Sequence, residues 1–276
     1  MHLTYARISK YPYNFRRITG LSIETFEQLL VLKVRPLFEE LESSKLRHGR
    51  MSHLPTMEDK LLCVLMYYRT YISHVFLGYL FNLHNANICR LLRKMEPLLA
   101  KKISIKKDRS LTSDKVLRIL ADVSEQPTQR PSKKQKKSYS GKKKRHTIKT
   151  EIVIREDGKI LSVSKSHKGK EHDFKIRKGE KLLPKESLKL ADSGYQGWQK
   201  LQSNVMIPYK KSRKRPLTKE QKEHNRKLSS IRMKVEHKIR EIKVFKIMSE
   251  VYRNFQNKYN LRFNIIAGMI NFKHAF

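Results

Sequence analysis

The strongest constraint on the fold is the stretch LKLADSGYQG at residues 188–197, where an apolar run leads to an aspartate and then to a turn. The apolar side chains of 188–191 predict a buried strand, and Gly194 and Gly197 end it. Asp192 is therefore expected at the C-terminal tip of that strand. Because an aspartate there is more often a helix cap or a turn former, its place in a functional site depends on other acids.

A second aspartate, Asp122, follows a similar predicted strand at 116–121. A hairpin is predicted from strands at 147–154 and 159–164, closed by Asp157-Gly158. It is followed by a helix at 174–183 capped by Asp173, a strand at 205–208 and a long helix at 219–246. This mixed order predicts an α/β domain of three layers with Asp122 and Asp192 at neighbouring strand ends.

The long helix carries a third acid of interest, Glu236. At about 100° per residue, Arg232, Glu236 and Lys243 lie within roughly 40° of one another beside the apolar stripe. That stripe contains Leu228, Ile231, Val235, Ile239 and Ile242. When the helix is considered alone, an intrahelical Arg232–Glu236 pair is the favoured explanation of the charged row.

The composition favours a polyanionic partner. The 276 residues contain 62 Lys+Arg against 25 Asp+Glu, a formal charge of +37, and 38% hydrophobic residues, enough for a core. A membrane partner is not expected, because the longest apolar run, 61–68, is far below the roughly 20 residues of a spanning helix. No secretory signal is expected, and Cys63 and Cys89 are interpreted as reduced core residues of a cytoplasmic protein.

The first half predicts a DNA-docking pair of helices. Thr56 and Asp59 occupy capping-box positions before one helix, and a helix at 75–80, a short break and a helix at 85–95 follow. The last helix turns polar and basic side chains outward: Asn87, Arg90, Arg93 and Lys94. These types contact base edges and phosphates, although a solvated basic face gives the same pattern.

Two basic runs add candidate phosphate contacts. Residues 130–149 hold ten Lys or Arg and no acid, and 210–215 form a second run. The candidates are Lys142, Lys143, Lys144, Arg145, Lys210 and Lys211. A disordered tail is the alternative for the first run, but its position inside a domain favours a loop held against a phosphate backbone. His146, His167 and His172 are best interpreted as solvated loop histidines.

Taken together, two acids at adjacent strand ends and one on a helix edge suit two Mg²⁺ ions, since hard cations prefer oxygen ligands. Two such ions promote phosphodiester chemistry.

At these residues the chain resembles the DDE-superfamily transposases of bacterial insertion sequences, in particular the insertion-sequence-five-like group. The resemblance covers roughly 15–274. It rests on LADVSEQP at 120–127, YSGKKKRHT at 139–147, ADSGYQG at 191–197 and the Arg-x3-Glu-x6-Lys pattern met by Arg232, Glu236 and Lys243. The family tyrosine three residues before the arginine is Ser229 here, so a positioning role for that tyrosine is not expected.

The resemblance implies an RNase H-like mixed-sheet catalytic domain at 112–276, preceded by an all-α helix-turn-helix region at 1–105. It implies a triad of Asp122, Asp192 and Glu236, with Arg232 and Lys243 holding DNA near two Mg²⁺ ions that Mn²⁺ can replace. The expected partners are the element's terminal repeats and target DNA, bound by a homodimer or larger assembly in the bacterial nucleoid.

Two other classes of function remain open at this stage. A catalytically inactive sequence-specific DNA-binding protein, either a repressor or a decayed transposase, would keep the helices and the basic runs, although retention of all three acids argues against decay. An RNA-binding protein is less favoured, because the chain has a single tryptophan, Trp198, and no evident aromatic stacking strip.

Overall fold

The computed structural model describes residues 2–44, 52–105, 118–212 and 216–274. The chain divides into two compact units. The first contains residues 1–104, 242–250 and 255–276, and the second contains 105–241 and 251–254. The last helix is grouped with the N-terminal helices, so the compact units do not follow the predicted boundary, and the catalytic domain over 112–276 stays a prediction.

The first unit is helical. Its helices in chain order are α1 Tyr5–Ile8, α2 Pro12–Thr19, α3 Ile23–Leu29, α4 Arg35–Ser43, α5 Met57–Thr70, α6 His74–Phe81, α7 Asn85–Ile103 and α11 Tyr259–Lys273, with a π-helical segment Leu30–Val34 before α4. An aromatic cluster joins the first three helices, since the rings of Tyr5 and Phe15 both lie within 6 Å of Phe26 (5.1 Å and 5.2 Å between centroids). Within the residues that the structure describes, none of the helices has both the length and the apolar character of a membrane-spanning segment.

The predicted helix-turn-helix is formed by α6 and α7. Ser73 caps α6, and Asn82 ends it in the left-handed conformation (φ 52°). Gly78 allows the turn to close, because a Cβ there would lie 2.3 Å from the carbonyl oxygen of Leu83. The Leu83 N–H donates to the Gly78 carbonyl at 2.8 Å, and His84 then caps α7.

A buried ion pair ties α7 to the C-terminal helix within the first unit. Glu96 is fully buried, and the Nε of Arg262 donates to its carboxylate at 2.6 Å. Lys258 adds a second ion pair at 3.4 Å. Removing one partner would leave an uncompensated buried charge, so this pair fixes α11 against α7.

The second unit is built on a mixed sheet. Its strands are β1 Arg118–Pro127, β2 Tyr139–Ser140, β3 Arg145–Arg155, β4 Ile160–Val163, β5 His167–Lys168, β6 Leu188–Leu190 and β7 Val205–Met206. They run in the order β2-β3-β1-β6-β7, and β4 and β5 also pair with β3. β1 pairs with β3 antiparallel and with β6 parallel. The mixed-sheet, RNase H-like class is thus confirmed.

Three helices accompany the sheet: α8 Gln135–Ser138, α9 Asp173–Lys178 and α10 Lys219–Lys243. The core under α9 includes Trp198, Tyr195, Ile119 and Val153. On α10 the predicted stripe is buried at Leu228, Val235, Ile239 and Ile242, while Ile231 is partly buried.

Several predicted boundaries are wrong. Asp122 lies in the middle of β1, because β1 continues to Pro127 against the long strand β3. The helix at 174–183 is shorter, and His172 rather than Asp173 occupies its N-cap position. The run 130–149 forms α8 and a β2–β3 hairpin instead of a loop. Residues 116–117 and 213–215 lie outside the described residues.

Candidate active site

The register of the parallel pair brings the two aspartates to equivalent positions. The last paired residues of β1 and β6 are Leu120 and Leu190. Asp122 and Asp192 each follow two residues later. β6 has ended by then, so the edge of β1 beyond Leu120 is no longer covered by β6. The prediction of adjacent aspartates is consistent with this register, although Asp122 is not at a strand end.

Asp122 is a partly buried carboxylate with a perturbed pKa. Burial raises its pKa to about 6, and the negative charges of Asp192 and Asp173 act in the same direction. The Val123 N–H, which donates to Oδ1 at 2.8 Å, and the positive charge of Arg232 oppose this rise. A raised acid pKa among like charges is typical of a site that gains from a bound cation.

Asp192 is held by the turn that follows β6. Its Oδ1 accepts the Gly194 N–H at 2.6 Å and caps the short 3₁₀ turn Ser193–Tyr195. A Cβ on Gly194 would lie 2.9 Å from this oxygen and 2.6 Å from Oδ2 of Asp173. Two carboxylates therefore converge on this glycine, and sequence reasoning assigned Asp173 only to a cap.

The α10 residues are oriented differently from one another. Arg232 turns inward with a side chain 14% exposed, whereas the Glu236 carboxylate is 53% exposed and 3.9 Å from the guanidinium of Arg232. Lys243 is the last residue of α10 and is partly buried. Within the described ranges, no group of three or more His, Cys, Asp or Glu is arranged to hold a metal ion. Asp192 lies close enough to Asp122 to raise its pKa, while the Glu236 side chain is exposed beside Arg232, and the triad with Glu236 stays a prediction.

Behind the aspartates lies a buried polar layer that the sequence did not reveal. The guanidinium of Arg177 on α9 donates to Glu151 of β3 at 2.7 Å, and both side chains are almost fully buried. Burial raises the pKa of Glu151 to about 7, while Arg177 opposes the rise. Tyr195 is fully buried, and burial followed by the charges of Glu151, Asp122 and Asp173 raises its pKa.

Comparison with known proteins decides the family. The family described as DDE superfamily endonuclease matches residues 121–271, which contain Asp122, Asp192 and Glu236. The chain belongs to the DDE superfamily of endonucleases. The helix-turn-helix of the same superfamily matches residues 52–105, in agreement with the observed α5, α6 and α7.

Relatives of this DDE endonuclease carry transposase names. A protein of Microchaete diplosiphon that carries the name "Probable transposase for insertion sequence element IS702" is 37% identical over 95% of this chain and 94% of its own length. One named for element IS112 of Streptomyces albus G is 26% identical over 84% of each chain. Among solved structures, none matches the chain. The insertion-sequence-five-like subgroup stays a prediction.

The basic residues of the DDE endonuclease lie mostly at its surface. Lys142, Lys143 and Lys144 are exposed in the β2–β3 turn, and Arg145 is exposed at the start of β3. Lys210 and Lys211 are exposed in the segment after β7. On α7, Arg90, Arg93 and Lys94 are exposed and Asn87 is partly buried. Arg90 donates to the Asn87 side chain at 2.9 Å, while Lys94 pairs with Glu42 at 2.9 Å. Lys94 is thus already engaged within the protein.

Proposed function

We propose that the protein is a DNA transposase that binds the terminal inverted repeats of an insertion sequence and cuts and joins DNA strands at those ends. The observation that carries this proposal is the parallel register of β1 and β6, which gives Asp122 and Asp192 equivalent positions inside the stretch that matches the DDE endonucleases. The names of the two relatives support it.

The donor chemistry of the site suits divalent cations. Asp122 and Asp192 offer hard carboxylate oxygens, and a bound cation would stabilise the ionised form of Asp122, whose pKa is raised chiefly by burial. We propose that Asp122, Asp192 and Glu236 together hold two Mg²⁺ ions, which Mn²⁺ can replace. Bound there, such ions supply activation of an attacking water or 3′ hydroxyl and stabilisation of the leaving oxygen.

The chain's own residues would then position the DNA. Arg232, turned toward Asp122, and Lys243 neutralise the phosphates at the reacting strand. The exposed cations Lys142, Lys143, Lys144, Arg145, Lys210 and Lys211 bind the backbone further out, which predicts steep salt dependence. Glu236 must turn inward from its exposed position, so the proposal includes a rearrangement of this side chain when DNA and metal bind.

The functional division proposed for the chain assigns recognition to the helical region before residue 105 and chemistry to the segment from residue 112. In α7, Asn87, Arg90, Arg93 and Lys94 would face the repeat. Because two element ends must be joined, we propose a dimer or larger assembly on DNA, acting on the nucleoid in the bacterial cytoplasm.

The decisive experiment incubates the purified protein with a labelled duplex carrying the ends that flank its gene, in Mg²⁺ or Mn²⁺. Metal-dependent cutting at the ends, lost in Asp192→Asn, is the expected result. The exposed position of Glu236 favours one other candidate, a DNA-binding protein without catalysis. Binding without cutting, equal in both proteins, would establish that alternative.

A further inference from the structure

A basic cavity of about 710 Å³ opens beside Asp192. Four exposed lysines surround it: Lys136 on α8, Lys142 in the β2–β3 turn, Lys170 after β5 and Lys210 after β7. Its inner wall contains Lys149, Asp173 and Asp192. The cavity therefore combines a positively charged rim with one of the two aspartates of the candidate active site.

Lys149 differs from the rim lysines because it is fixed. Its side chain is 14% exposed, and its ammonium donates to the Glu171 carbonyl at 2.8 Å and to Oδ1 of Asp173 at 3.0 Å. An ammonium has three donors, so two protein contacts leave one proton for a ligand. The long side chain of Lys149 is thus held in one orientation, and its ammonium can still donate to a ligand.

The same aspartate connects this lysine to the active site. While Oδ1 of Asp173 binds Lys149, its Oδ2 lies against Gly194, whose N–H holds Asp192. Lys149 is therefore positioned through Asp173 relative to Asp192. A cation fixed in this way suits a ligand that must be aligned with the catalytic carboxylates.

The chemistry of the cavity matches a sugar-phosphate backbone. Its volume is within the roughly 300–1,000 Å³ of small-ligand pockets, which admits a segment of one strand rather than a duplex. Lysines at its rim and base supply the point charges that phosphates attract. A purely acidic metal pocket would not be ringed by four lysines.

We propose that this cavity binds the DNA backbone phosphate next to the cleaved bond, with Lys149 as the inner phosphate-binding residue and Asp173 as the positioning residue that holds it. The inference deepens the proposed transposase function and rests on it for the identity of the strand. It adds Lys149 and Asp173 to the residues that act on the DNA.

The test replaces single phosphates of the element-end duplex by neutral methylphosphonates and measures binding without a cleavage-supporting metal. In the wild-type protein, methylphosphonates next to the cut should weaken binding, and so should methylphosphonates at the phosphates that α7 contacts. In Lys149→Met/Asp173→Asn, which removes both charges together, the effect beside the cut should disappear while the effect under α7 stays. The slope of log affinity against log salt should fall by about 1.

Two further variants control for folding and for general charge. Lys149→Arg should keep the effect beside the cut, and Lys178→Met, an exposed lysine on α9 outside the cavity, should behave as wild type. The proposal is overturned if the double variant keeps the methylphosphonate effect beside the element end, or if Lys178→Met loses it equally. This binding pattern is independent of cutting, so a protein that shows it and never cleaves would refute the transposase proposal alone.

Discussion

Asp122 and Asp192 each stand two residues beyond the paired leucines Leu120 and Leu190, so the register of one short parallel strand pair aligns the two carboxylates. β6 is only three residues long and stops before Asp192, whereas β1 continues past Asp122 against β3. Asp122 is therefore fixed by a paired strand, and Asp192 is fixed by the turn directly after β6, at a place where the edge of β1 is open. Carboxylates placed on or directly beside strands are held more rigidly than carboxylates on long loops.

The raised pKa of Asp122 predicts that the free energy of unfolding decreases as pH rises. Its pKa is about 6 in the folded protein against 3.8 as the ordinary value. Since the folded state binds this proton more tightly, the free energy of unfolding is highest below about pH 4 and declines as pH rises to about 6. Asp122→Asn keeps the oxygen that accepts the Val123 N–H but cannot ionise. It should be more stable than wild type above pH 6, by up to about 3 kcal/mol without metal.

Urea unfolding between pH 4 and 8 measures this difference, and Asp157→Asn provides a control of opposite sign. The hydrogen bond from Arg155 lowers the pKa of Asp157, so this carboxylate stabilises the fold above its ordinary pKa. Asp157→Asn should thus be less stable than wild type at neutral pH. Equal pH profiles for wild type and Asp122→Asn would show that Asp122 is not perturbed.

The exposed face of α7 predicts how single substitutions affect DNA recognition. Arg90→Ala should weaken binding to the element end by about 1–3 kcal/mol and affect an unrelated duplex less, as expected for a base contact. Lys94→Ala should have a smaller effect, because Lys94 already pairs with Glu42 and lies 4.6 Å from the Phe38 ring. Fluorescence anisotropy with both duplexes at several salt concentrations makes the comparison. If Arg90→Ala weakens binding to both duplexes equally, Arg90 contacts a phosphate and not a base.

The close contacts at Gly194 predict that Gly194→Ala loses DNA cleavage more than it loses stability. The Cβ of Gly194→Ala would approach the Asp173 and Asp192 carboxylates to 2.6 and 2.9 Å, and these flexible side chains would move away. Because displacement of a catalytic group by about 1 Å can cost 10²-fold, cleavage should fall at least about tenfold with little change in melting temperature. Gly179→Ala, whose Cβ meets only ordinary contacts at 3.5 Å and beyond, is the control. Unchanged cleavage in Gly194→Ala would mean that Asp192 does not need its present position.

Local signals in the sequence predicted much of this architecture. The Asp157-Gly158 turn predicted the position of the β3–β4 hairpin, and the predicted cap at Thr56 agrees with the observed start of α5. Long-range features could not be predicted. Glu96 and Arg262 are separated by 166 positions, and nothing local indicates that they pair or that α11 joins the first unit.

In the candidate site, too, local features could be predicted from the sequence and long-range features could not. Asp192 could be predicted because a strand and two glycines frame it. The mid-strand position of Asp122 could not, since it depends on how far β3 extends beside β1. Asp173 was interpreted as a cap because polar residues before helices usually are caps. The helical wheel placed Glu236 beside Arg232 but could not show that one side chain turns outward while the other turns inward.

The proposed metal centre contains Glu236 together with Asp122 and Asp192, and a metal-switch experiment can show whether Glu236 is one of its ligands. In Glu236→Cys a soft thiolate replaces a hard carboxylate, so cleavage of the element end should be lost in Mg²⁺ and at least partly restored in Mn²⁺ or Cd²⁺. Glu223→Cys, an exposed acid on the same helix that pairs with Lys227, should cut normally in Mg²⁺. If Glu236→Cys cleaves in Mg²⁺ as well as Glu223→Cys does, Glu236 is not a metal ligand and the three-carboxylate account is wrong.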